Sequence, residues 1–445
     1  MTRFFFLILL FIFHLSCSFD TKTGIWNEKK GKNQKNYRYS DSLKDIFPNK
    51  NLFKQDILPN EIKNISLSPI LSNLKWEETY LNNNNKYPNF NFKNSFEEKK
   101  ISKKITRKKI NKNILYKNDK IFYHDEKGSI YIYSLTQNGV IFKYNFYKNK
   151  IKKFKIKLEF LLKDNLLFVA DNLGYVYCFD YQKKILLWAK NYKIPFFSNI
   201  KIKNNIIFLV NENNDFLALK SSSGDLIWDF DTDKNLLQTN FKNNLAIEQD
   251  NIYLLNNNGS LYSLKLNNAQ LNWILSFKEI IGGESSNLFY AFPLIINSED
   301  LLVSTNKSIS LYNRQTATMK WKIDIALKIQ PIFSKDFIFL FSDENFITCV
   351  NSNNGKILWS RDFFALLRER FDNSKSDKIG EIIDLKIADN KIFLFTNNSN
   401  VIQMDPFTSK IISVNNISSK ITSNPLFLNE SFYFLDKKNR FIEIN

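Results

Sequence analysis

One phrase recurs along this chain and leaves few folds open to it. Residues 215–228 read as a strand carrying Phe216, Leu217 and Leu219, a tight turn at Ser223-Gly224, and a return strand through Leu226 and Ile227 to Trp228. The phrase returns at residues 345–359, with Gly355 in the turn and Trp359 at the end, and at 174–188, ending in Trp188. Trp188, Trp228, Trp273, Trp321 and Trp359 stand 40, 45, 48 and 38 residues apart. A period of about 40–45 residues with four short strands per repeat marks a β-propeller blade, a unit that buries its faces only by stacking on copies of itself.

Aligned on the inner strand of each repeat, one apolar column reads Ile130, Val176, Phe216, Leu261, Ile309, Ile347, Val401 and Phe441. A second reads Tyr133, Phe179, Leu219, Leu264, Tyr312, Val350, Met404 and Ile444. Apolar residues on both faces mean a strand covered from both sides. An earlier strand precedes each, so the copies number eight. Phe142 takes the Trp place in the first copy, the seventh degrades to Lys410-Ile411-Ile412-Ser413, and the eighth reaches Asn445 with no Trp. A ring left unclosed would expose two sheet edges. Residues 74–80 have the length of the missing strand and bring Trp76. The expected fold is therefore all-β: an eight-bladed β-propeller of four-stranded antiparallel blades over residues 67–445. An N-terminal strand closes the ring, placing Trp76 beside residues 441–444.

The first residues read as a targeting segment. Arg3 precedes an unbroken apolar run at residues 4–13, shorter than the roughly 20 residues a bilayer-spanning helix needs. Ser16-Cys17 follows and resembles a bacterial lipoprotein signal, with His14 where such signals prefer Leu. Residues 1–17 are thus expected to be a signal peptide with Cys17 lipidated. Residues 18–66, rich in Lys, Asn, Asp and Ser, read as a flexible polar tether in which short segments dock on the domain. Export would favour disulfides, but Cys178 and Cys349 hold the same place in different copies and read as small buried hydrophobes.

The formal charge is +19, which raises nucleic acid or an anionic membrane as partners. Lys, Asn, Ile and Phe are over-used together, so the charge reads mostly as solvated surface, and nucleic acid is not expected. The densest basic run carries Lys99, Lys100, Lys103, Lys104, Arg107, Lys108, Lys109 and Lys112, interrupted by Ile101, Ile105, Ile110 and Ile114. That spacing suits an exposed edge strand; binding to anionic headgroups is the other reading. Insertions at 279–288 and 363–379 lengthen two connections, where contacts on a rigid ring usually sit.

Residues 219–228 and 350–359 resemble the pyrroloquinoline-quinone-type propeller repeat. With the lipoprotein-like start and eight copies, the chain is similar to the BamB family of outer-membrane assembly lipoproteins. The resemblance implies a non-enzymatic scaffold, lipid-anchored on the periplasmic face of the outer membrane. It implies a BamA-like barrel protein and unfolded outer-membrane proteins as partners, the latter being delivered for insertion. The repeat also occurs in quinoprotein dehydrogenases, so a periplasmic quinoprotein-like enzyme is one alternative and a module binding envelope anions another. The residues weigh toward binding. There is no Cys-Cys pair and no Cys-x-x-Cys-His. Beyond the signal the one histidine is His124, which reads as a turn cap rather than a catalytic base. Tryptophans at one per blade read as packing between blades. No cofactor, metal ligand or catalytic residue is expected.

Overall fold

Residues 55–59, 66–147, 155–234, 241–278, 289–371 and 378–445 are described by the structure, a computed structural model. Short apolar runs bounded by turn residues become strands throughout. Leu158–Lys163, Leu166–Asp171, Tyr175–Asp180 and Ile185–Asn191 form one antiparallel sheet in chain order, and the pattern repeats along the chain. The molecule is an all-β propeller with four-stranded antiparallel blades.

Eight four-stranded blades are expected from the sequence; seven sheets of four strands are present. The remaining sheet has six. Its four antiparallel strands, Ile382–Ala388, Lys391–Thr396, Asn400–Met404 and Ile411–Asn416, are joined in parallel by the short strands Asn89–Phe90 and Ile70–Leu71. The strand taken as inner is third in its sheet and is buried on both faces, as in Ser129–Ser134 and Asn400–Met404. The strands that approach one another between neighbouring sheets are the first ones, Leu115–Lys117 with Leu158–Lys163 and Asn244–Glu248 with Ile295–Asn297 among them.

The placement of Trp76 is corrected. The sheet holding the C-terminal strand Phe441–Ile444 takes its outer strand from Glu98–Lys100, with Glu98 opposite Ile444 and Lys100 opposite Ile442. Trp76 instead bridges Tyr116 in the first strand of another sheet. A missing Trp points to residues 74–80, whereas pairing needs only a free backbone edge, and this outer strand carries no Trp. Glu98 holds it by accepting hydrogen bonds from the amides and hydroxyls of Ser418 and Ser419. On the other flank, Tyr123 and Tyr133 meet Phe441 at 5.9 and 5.8 Å between ring centroids.

Two local devices repeat. At the end of the second strand in each of the eight sheets stands a buried polar side chain: Asp125, Asp171, Asn211, Asn256, Thr305, Ser342, Thr396 and Asp436. Each accepts backbone N–H groups of the turn that follows, as Asp171 does from Leu173 and Tyr175 at 2.9 and 2.8 Å. This satisfies turn donors that the ladder leaves free. The second device is the tryptophan. Each stands opposite the equivalent residue of the third strand, next to a bulge, as Trp188 does opposite Cys178 and Trp359 opposite Cys349. Its indole N–H reaches a carbonyl in the following blade: Trp188 to Ser221, Trp228 to Leu266, Trp273 to Arg314, Trp321 to Ser352 and Trp359 to Pro406, at 2.6–3.1 Å. The ring lies on the next turn so closely that a Cβ at Gly224 would come within 2.5 Å of Trp188. Gly224 also has φ +72°, so glycine serves both needs.

Burial along the tryptophan column is uneven. Trp359 is fully buried, whereas Trp228 is half-buried. Trp359→Ala is expected to destabilise by about 3–5 kcal/mol, and Trp228→Ala by about 2 kcal/mol because part of its ring is already wet. Equilibrium urea unfolding of both variants checks the order.

Candidate functional site

Residues 66–93 form a strap over the ends of the first strands and touch all eight sheets. Trp76 exchanges backbone hydrogen bonds with Tyr116 at 2.8 and 2.9 Å. Glu77 O accepts from Leu162, Asn83 O from Ile247 and Asn84 O from Ile296. Lys201 donates to Asn82 O, and Ser68 N donates to Ser334. Phe90 O accepts from Asp389, and Asn73 O from Asn429. Asparagines suit this work because one side chain both donates and accepts. Asn85, fully buried with φ +56°, donates to the carbonyls of Leu245 and Leu294 and accepts from Lys201.

The strap's electrostatic centre is Lys201. Its side chain has no exposure, and its ammonium lies 2.5 Å from Glu78, 2.6 Å from Asn82 O and 2.6 Å from Asn85. Burial pushes its pKa down, opposed by the charge of Glu78 and its hydrogen bond. Glu77 is paired twice, with Lys117 at 2.5 Å and Lys75 at 2.6 Å. Aromatic packing completes the seal: Trp76 stacks on Phe90 at 6.0 Å, Phe90 on Phe427 at 5.0 Å, and the Lys386 ammonium sits 4.4 Å from the centroid of Tyr87. One mouth of the space ringed by the first strands is thus filled by the chain itself. Sequence reasoning missed this. The run Asn82-Asn83-Asn84-Asn85 signals a loop, and nothing in its composition says that its partners lie in three separate sheets, or that the strap around it reaches all eight.

The outer side of the blades is a second surface. The fourth strands are sheet edges and carry exposed apolar residues, among them Leu186, Leu187, Leu226, Ile227, Leu271 and Ile274. One edge is already occupied by an extended piece of this chain. Ile57 exchanges hydrogen bonds with Ser360 at 2.7 and 2.9 Å, and Asp56 accepts from the amide of Asp362.

The residues singled out from sequence fall as follows. Cys17 and insertion 279–288 lie outside the described residues. Cys178 and Cys349 are free and buried; burial raises both thiols, Cys178 to about 12. His124 is not a turn cap. It ends the buried strand Lys120–His124, its Nε2 2.9 Å from the Asn111 amide and its ring against Phe160. The insertion at 363–379 begins as the helix Phe363–Arg370, capped by Asp362, which accepts from the amides of Phe364 and Ala365; its residues 372–377 lie outside the described residues. Lys99 and Lys100 lie on the outer strand Glu98–Lys100. Among the described residues no three His, Cys, Asp or Glu side chains come together as a metal-holding group.

Comparison with known proteins agrees with this architecture. Residues 152–361 match the family described as outer membrane protein assembly factor BamB. No curated protein matches the chain. Among solved structures, BamB from Moraxella catarrhalis superposes with TM-score 0.59 at 12% identity, covering 76% of this chain and 99% of that one. A quinohemoprotein alcohol dehydrogenase from Comamonas testosteroni gives 0.58 at 8% identity, covering 83% and 80%. The computationally designed Ika8 protein gives 0.54 at 10%, covering 74% and 94%. At such identities the likeness is one of fold.

Removing one partner of a buried ion pair strands the other charge. Lys201→Ala is therefore expected to cost about 3–5 kcal/mol, and the double variant Lys201→Met, Glu78→Leu to recover much of it; thermal and urea unfolding read both. His124 gives a pH signature. Burial holds its pKa down to about 4, against a carbonyl contact from Asp125 and the charges of Glu159 and Asp125 that raise it. The unfolded chain takes up a proton near pH 6.5 that the folded chain refuses until about 4. Stability is full above pH 6.5, falls as pH drops from 6.5 to 4, and loses about 3 kcal/mol through this group. In His124→Gln that component of the pH dependence is absent.

Proposed function

We propose that this chain, whose residues 152–361 carry the repeats of the BamB assembly-factor family, is a non-enzymatic scaffold of the outer-membrane β-barrel assembly machine. It binds the machine's BamA-like barrel component and helps deliver unfolded outer-membrane proteins. A lipid on Cys17 holds it to the periplasmic face of the outer membrane, and residues 18–66 give it reach. The six-stranded sheet supplies the eighth blade, and Glu98–Lys100 closes the ring.

The observation that carries this reading is the docking of Asp56 and Ile57 on the outer strand Ile357–Asp362. A blade edge with free backbone groups accepts an extended chain by strand addition, and exposed apolar side chains along the other edges add contact area. Unfolded barrel proteins are rich in such extended segments. The family match supports the same class of role. A quinoprotein-like enzyme shares the fold, but the strap fills one mouth of the ring, and the only histidine beyond the expected signal is buried in a strand.

A photo-crosslinking residue placed at Ile227 in the native envelope is expected to capture the barrel component or outer-membrane proteins, identified by mass spectrometry. Ile227→Asp is expected to lower capture at a neighbouring probe, Asp229, at least fivefold with no change in melting temperature. The absence of every barrel-assembly component and barrel protein among the partners overturns the reading.

A further inference from the structure

The +19 charge is not spread evenly. Residues 105–112, which lead into the first blade, are held down by Ile110, whose backbone bridges Asp125, while their charged side chains stand exposed. They form one wall of a cleft of ≈ 570 Å³. The opposite wall comes from the connection and turn at residues 420–425 and 435–439, and Ile383 lies at its side. These segments follow fourth strands or join second to third strands, so the cleft opens on the ring face away from the strap.

Six cations line it: Arg107, Lys108, Lys109, Lys112, Lys420 and Lys437. Lys108 and Lys109 lie 3.4 and 3.5 Å from Asp125 and Glu126. Arg107, Lys112, Lys420 and Lys437 make no ion pair among the described residues, and all four are exposed. The two acids of the lining are neutralised from behind, Asp384 by Lys386 at 2.6 Å and Asp436 by Arg440 at 2.5 Å. Four cations from three segments therefore face one concave space with no counter-charge. Such a space focuses its field on an anion. Arg107 adds a planar fork that matches phosphate oxygens, and lysines serve as point charges. The cleft also has an apolar side, formed by Ile110, Ile421 and the exposed Ile383.

We propose that this cleft binds a phosphate group, of the kind presented by an anionic phospholipid or by free phosphate. The site is additional to the scaffold role and does not depend on it.

Two probes test it on the full chain: calorimetric titration with inorganic pyrophosphate, and flotation with vesicles of phosphatidylglycerol in phosphatidylcholine against pure phosphatidylcholine. The cleft variant combines Arg107→Gln, Lys112→Gln, Lys420→Gln and Lys437→Gln. A control removes the same charge from turns on the strap-side face, with Lys184→Gln, Lys220→Gln, Lys265→Gln and Lys356→Gln. Saturable pyrophosphate binding, or a preference for phosphatidylglycerol, that falls at least tenfold in the cleft variant and less than twofold in the control supports the site. The probe that binds separates a soluble anion from a lipid headgroup. Binding to neither probe, or equal loss in both variants, overturns it, because diffuse charge predicts equal loss. Should the cleft variant not fold, the pair Lys420→Gln, Lys437→Gln carries the same comparison with a threefold loss expected.

Discussion

The contact on which this molecule depends is an indole resting on its neighbour's turn. Trp188, Trp228, Trp273, Trp321 and Trp359 each donate across a blade boundary to a backbone carbonyl. Gly224 and Gly355 lie so close to the preceding ring that a side chain there would clash. A four-stranded sheet cannot bury its own faces. The contact fixes how far one sheet is rotated from the next and ties the turn of each repeat to the tryptophan of the repeat before. The sequence period follows from that geometry: the tryptophan of one repeat meets a tight positive-φ turn one blade on, filled by Gly224 or Gly355 in two cases and by Ala269, Ala317 or Ser409 in the others.

Stacking alone leaves the ends of the first strands with unpaired backbone groups around an axial space. The strap answers that need at one mouth. It supplies carbonyls to Leu162, Ile247, Ile296, Asp389 and Asn429, and places the buried Lys201–Glu78 pair where several sheets converge. The cost of desolvating that pair is offset by Asn82 and Asn85, which complete the ammonium's hydrogen bonds. A chain built this way leaves the edges of its fourth strands exposed, while the strap-side mouth is already taken.

The repeat, the all-β class and the double-sided burial of the third strand were legible in the sequence because each is a periodic side-chain signal. Phe142 standing opposite Ile132, in the tryptophan place, is a case in point. The parts that escaped depend on backbone. Trp76 was assigned to the last blade by its side chain, but an edge is completed by any strand with free N–H and C=O groups, and Glu98–Lys100 supplies them. His124 next to Asp125 suggests a turn, yet the turn begins one residue later and the ring packs inside. The polar residue ending each second strand, from Asp125 to Asp436, is an eightfold signal in plain view. It is hidden by chemistry: Asp, Asn, Thr and Ser all accept the same turn amides, so the column shows no constant letter.

The proposed scaffold role requires that extended chains add to the outer strands of the blades. Hydrogen–deuterium exchange on the full chain, with and without a saturating unfolded outer-membrane protein segment, tests it directly. Strand addition predicts new protection at amides of outer strands such as Leu226–Asp231 and Leu271–Ser276, with the strap amides of residues 76–91 unchanged. Protection confined to the strap or to the first strands, with the outer edges unaffected, would contradict it.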